Sequence, residues 1–334
     1  VSTPGPAAPP PSAPPPSAPP PSAPPPAAPP LVAVVGPTAT GKSDLGLELA
    51  LALDGDVVNA DAMQLYRGLD IGTAKLAPHE RRGVVHHQLD VLDVTETASV
   101  AAYQRAARAV IEELRAAGRT PVLVGGSGLY VQAVLDELEF PGTDPELRAA
   151  LEAELERDGS GALHARLAAA DPVAAEQVLP SNGRRIVRAL EVIALTGRPF
   201  RATLPGAGTP RYDAVLLGVD RDVAELDERV ALRVDRMLDD GLVDETRALL
   251  PRGLAHGRTA SRALGYRQVI EALDRDPDHP DLAVVREETV RATRRFVRRQ
   301  RSWFRRDRRI HWLDGADPDL VGSARAVLAR RLVA

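Results

Sequence analysis

The chain has 334 residues, 26% of them charged, a formal net charge of −4 and no cysteine. That length admits one large domain with an insertion, or two smaller ones, and the missing thiols exclude disulfides and cysteine-ligated zinc. No segment approaches 18 uncharged apolar residues, so no transmembrane helix and no membrane partner is expected, and a soluble cytoplasmic protein is the default.

Residues 1–30 hold 16 prolines and no charge. Such a segment has no apolar face to bury, and a disordered, extended tail is expected. It has neither a basic start nor a long apolar core, so it reads as no signal peptide or anchor. Beyond it, LVAVV (31–35) is a short branched apolar run that predicts a strand. DVVNAD (56–61), HHQLDVLD (86–93), TPVLVGG (120–126) and DAVLLGVD (213–220) read the same way. Helical patterns alternate with them, including DLGLELALAL after the first loop and a helix from 100 with Ser99 as N-cap and Gly118 past its end. Strand–helix alternation of this kind predicts an α/β fold with a doubly wound parallel sheet. From about 143 the texture becomes mostly helical. The expected organisation is an α/β core over 31–142, a helical insertion over 143–205, and a remaining core strand with C-terminal helices over 206–334.

The small net charge hides an uneven distribution. Residues 291–309, RATRRFVRRQRSWFRRDRR, carry ten arginines and one aspartate, so the rest of the chain sums to −13. Of 42 basic residues only Lys42 and Lys75 are lysine. In a chain so biased to arginine, Lys42 fits a site that needs a compact point charge.

Lys42 lies in GPTATGKS, which is Gly36, Pro37, Thr38, Ala39, Thr40, Gly41, Lys42 and Ser43. The stretch satisfies G-x-x-x-x-G-K-[ST] between a strand and a helix. Loop N–H groups and the helix start form an anion cradle, Lys42 reaches a terminal phosphate, and the Ser43 hydroxyl can ligate Mg²⁺. The pattern points to a diphosphate or triphosphate without saying what bears it. The strand TPVLV is followed by GGSGLY, which carries Ser127 and no acid. A carboxylate instead ends DVVNAD. Asp61 at that strand end should lie near the phosphate loop, where it could bind Mg²⁺ or accept a proton from a nucleophile. His86 and His87 are adjacent on an expected strand, point to opposite faces, and form no metal site. Arg229, Arg233 and Arg236 recur at helical spacing. They form either a shared basic stripe or a solvated face balanced by Asp227, Glu228 and Asp239. The RRQRSWF stretch (298–304) interleaves cations with Trp303 and Phe304, for RNA contact, core packing, or both.

GPTATGKS, NADAMQLYRGLDIGTAK, HHQLDVLD, PVLVGGSGLYVQA, RRIVRALEV and SRALGYRQ, in this order across residues 31 to about 313, together resemble the bacterial tRNA dimethylallyltransferases, also called tRNA isopentenyltransferases. The resemblance implies a P-loop fold whose loop holds dimethylallyl diphosphate rather than ATP. It implies transfer of the five-carbon group to N6 of the tRNA adenosine just 3′ of the anticodon, with Mg²⁺ assisting and pyrophosphate leaving. Asp61 matches the family's base, Thr38 a residue against the bridging oxygen, and Arg233 an arginine on the diphosphate. The tRNA-facing positions implied are Asp61, Ala62, Met63 and Gln64; Ser127; Arg148; Arg184, Arg185, Ile186, Val187 and Arg188; and Arg262, Ala263, Leu264, Gly265, Tyr266 and Arg267. Departures are small: Ala62 where serine is commoner, Ser127 for threonine, and Thr40 where serine or glycine is usual. The partners implied are the tRNA anticodon stem-loop and dimethylallyl diphosphate, with the enzyme a monomer. Two rival readings remain, a P-loop kinase or ATPase and a non-catalytic RNA-binding protein. The first would want an acid after VLV, and the second would need neither Lys42 nor Asp61.

Overall fold

A computed structural model describes residues 28–200 and 209–333. Residues 1–27 of the expected tail, and 201–208, where the expected insertion (143–205) gives way to the following segment, lie outside the described residues. Six strands form one all-parallel sheet: β1 (Leu31–Val35), β2 (Gly55–Asn59), β3 (His86–His87), β4 (Thr120–Gly125), β5 (Ala214–Asp220) and β6 (His311–Asp314). Their order is β3-β2-β4-β1-β5-β6. β1 therefore lies between β4 and β5, and the loop that leaves it opens at the carboxyl edge of the sheet, where α/β folds bind ligands.

β1 is buried along its whole length, and alternation sends its residues to opposite faces. Leu31, Ala33 and Val35 join a core with Tyr103, Ala107, Ile111 and Leu114 of α2 (Val100–Ala116) and with α3 (Gly128–Leu135). Val32 and Val34 join a second core with α1 (Lys42–Ala52) and α11 (Leu320–Val333). The Ser99 side chain caps α2 as expected, and Gly118 follows it at φ 73°.

The insertion packs α4 (Pro145–Ala170), α5 (Pro172–Gln177) and α6 (Gly183–Thr196) around its own apolar cluster. Asp144 caps α4 ahead of Pro145, and the helix breaks at Gly159, where φ is 80°. The remaining helices are α7 (Val223–Asp239), α8 (Leu242–Leu249), α9 (Tyr266–Arg275) and α10 (Leu282–Phe304).

Two expectations change. The strand over 86–93 stops after His87, because Gln88 and Asp90 take positive φ (60° and 56°) and the Asn59 side chain donates to the Gln88 carbonyl at 3.0 Å. An unanticipated short strand, β6, pairs with β5 at the sheet edge. Residues 214–220 belong to the same sheet as β1, as expected of a remaining core strand, and 311–314 extend it.

Candidate active site at the carboxyl edge of the sheet

The phosphate loop folds as its sequence requires. Gly36 sits at φ 142°, and a Cβ there would come within 2.3 Å of the Val219 carbonyl oxygen. Ala39 and Gly41 take positive φ (67° and 100°), which turns successive N–H groups inward as a nest. Thr40 is fully buried, and its hydroxyl donates to the Pro37 carbonyl at 3.0 Å. Gly41 begins α1 without a side-chain cap, so the first-turn amides are left for an anion.

Two cations converge on this loop. Lys42 Nζ donates to the Pro37 carbonyl at 3.2 Å. Arg233 on α7 donates to Thr38 Oγ1 at 3.0 Å. Among the described residues neither is paired with a carboxylate at ion-pair distance. Burial pulls the Lys42 pKa down to about 8, partly countered by the charge of Asp61 and reinforced by that of Arg233. Burial also lowers the Arg233 pKa. The expected stripe of arginines is shared out. Arg229 donates to the Ala39 carbonyl at 2.8 Å, and Arg236 is exposed. Asp227, expected to balance them, instead pairs with Arg298 at 2.8 Å and Arg294 at 3.8 Å.

A binding prediction follows for Lys42. A diphosphate stabilises the ammonium form and raises its pKa. Below pH 8 the group is already protonated and binding takes up no proton there. As pH rises through 8, binding takes up a proton and affinity falls, up to the pKa of the bound state. Calorimetry of a diphosphate in buffers of different ionisation heat, for wild type and Lys42→Met, isolates this uptake. Equal uptake by both proteins at pH 8.5 would refute it.

Asp61 lies two residues past β2. Its N–H donates to Asn59 Oδ1 (3.0 Å), its carbonyl accepts from Asn59 Nδ2 (3.1 Å), and its Oδ1 accepts from the Met63 N–H (2.9 Å). The buried Tyr103 hydroxyl anchors the Asn59 carbonyl at 2.8 Å. Ser127 Oγ accepts from the Ala62 N–H at 3.1 Å, so serine supplies the hydroxyl that threonine would. Gln64 Nε2 donates to the Thr73 carbonyl at 3.1 Å. Lys75, singled out only as the second lysine, is structural. Its side chain is 3% exposed and binds Asp70 (2.5 Å), Asp90 (2.6 Å) and the Tyr66 carbonyl (2.9 Å), tying down the loop after Asp61.

Several expected RNA-facing side chains do not face solvent. Ile186 and Val187 pack in the insertion core, and Ala263 and Tyr266 pack in the core around α8 and α9. Gly265 is also buried, while Leu264 is half-buried. The Tyr266 hydroxyl bonds Glu245 and accepts from the Gly72 N–H at 3.0 Å. The side chains these segments leave accessible are those of the exposed Arg184, Arg262 and Arg267 and of half-buried Arg185, with Arg267 also on Glu271 at 2.7 Å.

Arg148 and Arg188 both bond the fully buried Glu191, whose Oε1 also accepts from the Asp144 N–H at 3.2 Å. Burial raises the Glu191 pKa, but hydrogen bonds and charge from both arginines outweigh it and hold the group below its usual range. Glu191→Ala would strand two half-buried cations. We expect a loss of about 2–3 kcal/mol, below the full effect of breaking a wholly buried pair because the arginines reach water. Hydrogen exchange should quicken in α4 and α6 while the central sheet is unchanged. Unchanged exchange in both helices would overturn this.

The arginine-rich segment is largely occupied. Arg301 and Arg305 bond Asp220 at 3.0 and 3.1 Å, and Arg309 bonds the buried Asp136 at 2.5 Å. Arg295, Arg299, Arg306 and Arg308 have no ion pair among the described residues, and Arg299 lies 5.7 Å over the Phe296 ring. Phe304 is buried, and half-buried Trp303 packs against Gly128. The aromatics of this stretch thus serve core packing, while part of its arginine face is left exposed.

Sequence reasoning missed Gln300, which is 5% exposed. Its Oε1 accepts from the Thr38 N–H at 3.0 Å, and its Nε2 donates to the Gly126 carbonyl at 2.9 Å. The signal was present: Val297, Gln300 and Phe304 share one buried helical stripe, so a polar residue sits where an apolar one belongs. Arg221 was missed too, and donates to the Thr40 carbonyl at 3.1 Å.

Among the described residues no group of three or more His, Cys, Asp or Glu side chains could hold a metal ion, and His86 and His87 form none. Ser43 supplies one hydroxyl at the helix start, and Asp61 one carboxylate. Such a sparse donor set fits Mg²⁺ only when phosphate oxygens and water complete its shell, which is this ion's usual habit. No described helix is long and apolar enough to cross a membrane.

A doubly wound parallel sheet with an anion nest after a central strand, two cations on that nest without a carboxylate partner among the described residues, and a fixed carboxylate after β2 define a P-loop α/β protein with a preformed anion site. A model of the family IPP transferase matches residues 64–307, and the chain belongs to that family. A tRNA dimethylallyltransferase of Streptomyces avermitilis is 66% identical over 87% of this chain and 92% of its own. One from Nocardia farcinica is 63% identical over 89% of this chain and 94% of its own. The crystal structure of a tRNA isopentenylpyrophosphate transferase from Bacillus halodurans is 38% identical, with a TM-score of 0.67 over 91% of this chain and 96% of that one.

Proposed function

We propose that this protein transfers the dimethylallyl group of dimethylallyl diphosphate to N6 of the tRNA adenosine immediately 3′ of the anticodon, giving N6-isopentenyladenosine and pyrophosphate. The observation that carries the reading is a pair of cations converging on the phosphate loop, Lys42 and Arg233, neither with a carboxylate at ion-pair distance among the described residues. The adenine amine attacks C1 of the allyl group, the C1–O bond breaks, and its electron pair leaves on pyrophosphate. Lys42, Arg233 and the first-turn amides of α1 stabilise the charge that gathers on the leaving group. Asp61 accepts the proton that N6 loses. Thr38, bonded by Arg233, stands beside the bridging oxygen. Mg²⁺, held by Ser43 and the phosphates, would supply further charge neutralisation on the diphosphate. The target base must leave its stack to reach a buried donor. The exposed arginines of α6, the 262–267 segment and α10 would pair with tRNA phosphates. We further propose that the enzyme acts as a cytoplasmic monomer.

The test mixes protein, Mg²⁺ and labelled dimethylallyl diphosphate with an anticodon stem-loop bearing adenosine at the target, beside a matched loop bearing guanosine. Label should enter only the adenosine loop. No transfer to either, with ATP turned over instead, would replace this reading by a P-loop kinase or ATPase.

A further inference from the structure

The two halves of the site sit on different loops. The diphosphate side is the loop after β1, and the acceptor side is Asp61–Ala62 after β2, latched to Ser127 after β4. Among the described residues no backbone hydrogen bond joins them directly, because β4 lies between β1 and β2. Gln300 of α10 spans the gap. One end of its amide holds the Thr38 N–H, and the other holds the Gly126 carbonyl, one residue before Ser127. The fit is close: a Cβ on Gly126 would lie 2.4 Å from Gln300 Nε2, and one on Gly128 would lie 2.2 Å from the Trp303 ring one turn further along α10. Arg301 and Arg305 pin the same turn to Asp220 at the end of β5. A continuous hydrogen-bonded path therefore runs from Asp61–Ala62 through Ser127–Gly126, Gln300 and Thr38 to Arg233.

We infer that Gln300 is a positioning residue that sets the separation between the diphosphate loop and the acceptor loop, and so decides whether the allyl carbon meets the adenine amine or water. It touches no reacting atom itself. A short gap keeps the amine against C1 and leaves no room for water. A loosened gap admits water, which attacks C1 in place of N6, giving the allylic alcohol, pyrophosphate and a proton. This inference rests on the proposed transfer. A wild type that transfers no label refutes that reading, whereas the readout below concerns only how turnover divides.

The readout is the ratio of pyrophosphate released to RNA prenylated, after subtraction of enzyme-free solvolysis, in wild type, Gln300→Met and Gln300→Glu, from about pH 4, below the ordinary glutamate pKa, to about pH 8.5. A residue that only supports folding lowers both products together and leaves the ratio alone. Gln300→Met removes both hydrogen bonds, and the ratio should rise roughly tenfold or more at every pH, since a displacement of about 1 Å at a reacting centre is worth about a hundredfold. In Gln300→Glu the protonated carboxyl reproduces an acceptor for Thr38 and a donor for Gly126. Its ratio should approach wild type at the acid end and rise as the carboxyl ionises against the Gly126 carbonyl. Lys42, Asp61 and Arg233 face the same loops, and comparison with wild type at each pH removes any pH dependence common to both proteins. A wild-type ratio in both variants overturns the inference. So does a Gln300→Glu ratio that ignores pH while matching Gln300→Met.

Discussion

Asp61→Ala should lower turnover roughly 10²–10⁴-fold, the range typical of a positioned general base, while tRNA affinity falls far less. The residue is held at three points, since the Asn59 side chain bonds both the backbone N–H and the backbone carbonyl of Asp61, and the Met63 N–H fixes carboxylate Oδ1. Such fixing positions Oδ2 without neutralising it. Asp61→Asn preserves those contacts and removes the base, so it separates chemistry from placement. It should be nearly as slow as Asp61→Ala while binding RNA like wild type. Single-turnover rates and RNA binding by filter retention check both. Parallel losses in rate and affinity would mean that Asp61 merely orients RNA.

Part of this site could be read from local sequence, because the local chain encodes it. Gly36, Gly41, Lys42 and Ser43 are one contiguous strand–loop–helix unit, and Asp61 ends an apolar run whose neighbours in a parallel sheet place it at the ligand edge. Other parts depend on residues far apart in the chain. Charge alone marked 291–309 as basic, but whether an arginine there is free depends on Asp220, Asp227 and Asp136, the last 173 residues from its partner Arg309. Ile186 and Tyr266 sit among arginines in RRIVR and RALGYR, yet helical periodicity turns Ile186 inward and Glu245 draws in the Tyr266 hydroxyl. β6 has four residues of which two are exposed, too little apolar pattern to announce a strand. The truncation of β3 follows from left-handed backbone at Gln88 and Asp90, which an alternating pattern does not encode.

Arg233→Met should lower kcat/KM for the diphosphate donor about 10²–10³-fold, as expected when one preorganised donor to developing negative charge is lost, and leave RNA affinity near wild type. The guanidinium bonds Thr38 Oγ1 at 3.0 Å and has no carboxylate at ion-pair distance among the described residues, so an anion is what it lacks. Without that anion it sits beside Lys42 as a second desolvated cation. Removing it should therefore stabilise the donor-free protein, by about 0.5–2 kcal/mol, because a strained site is relieved. A structural arginine behaves in the opposite way, losing stability with its contacts. Arg233→Lys keeps a charge but not the fork, and should recover only part of the rate. Pairing Arg233→Met with Thr38→Val in a double-mutant cycle should show a non-additive effect on donor use, since the two side chains are directly hydrogen-bonded. Melting temperature with and without dimethylallyl diphosphate completes the measurement. A donor-free protein that melts lower, with unchanged dependence on donor concentration, would sink the assignment of Arg233 to the leaving diphosphate.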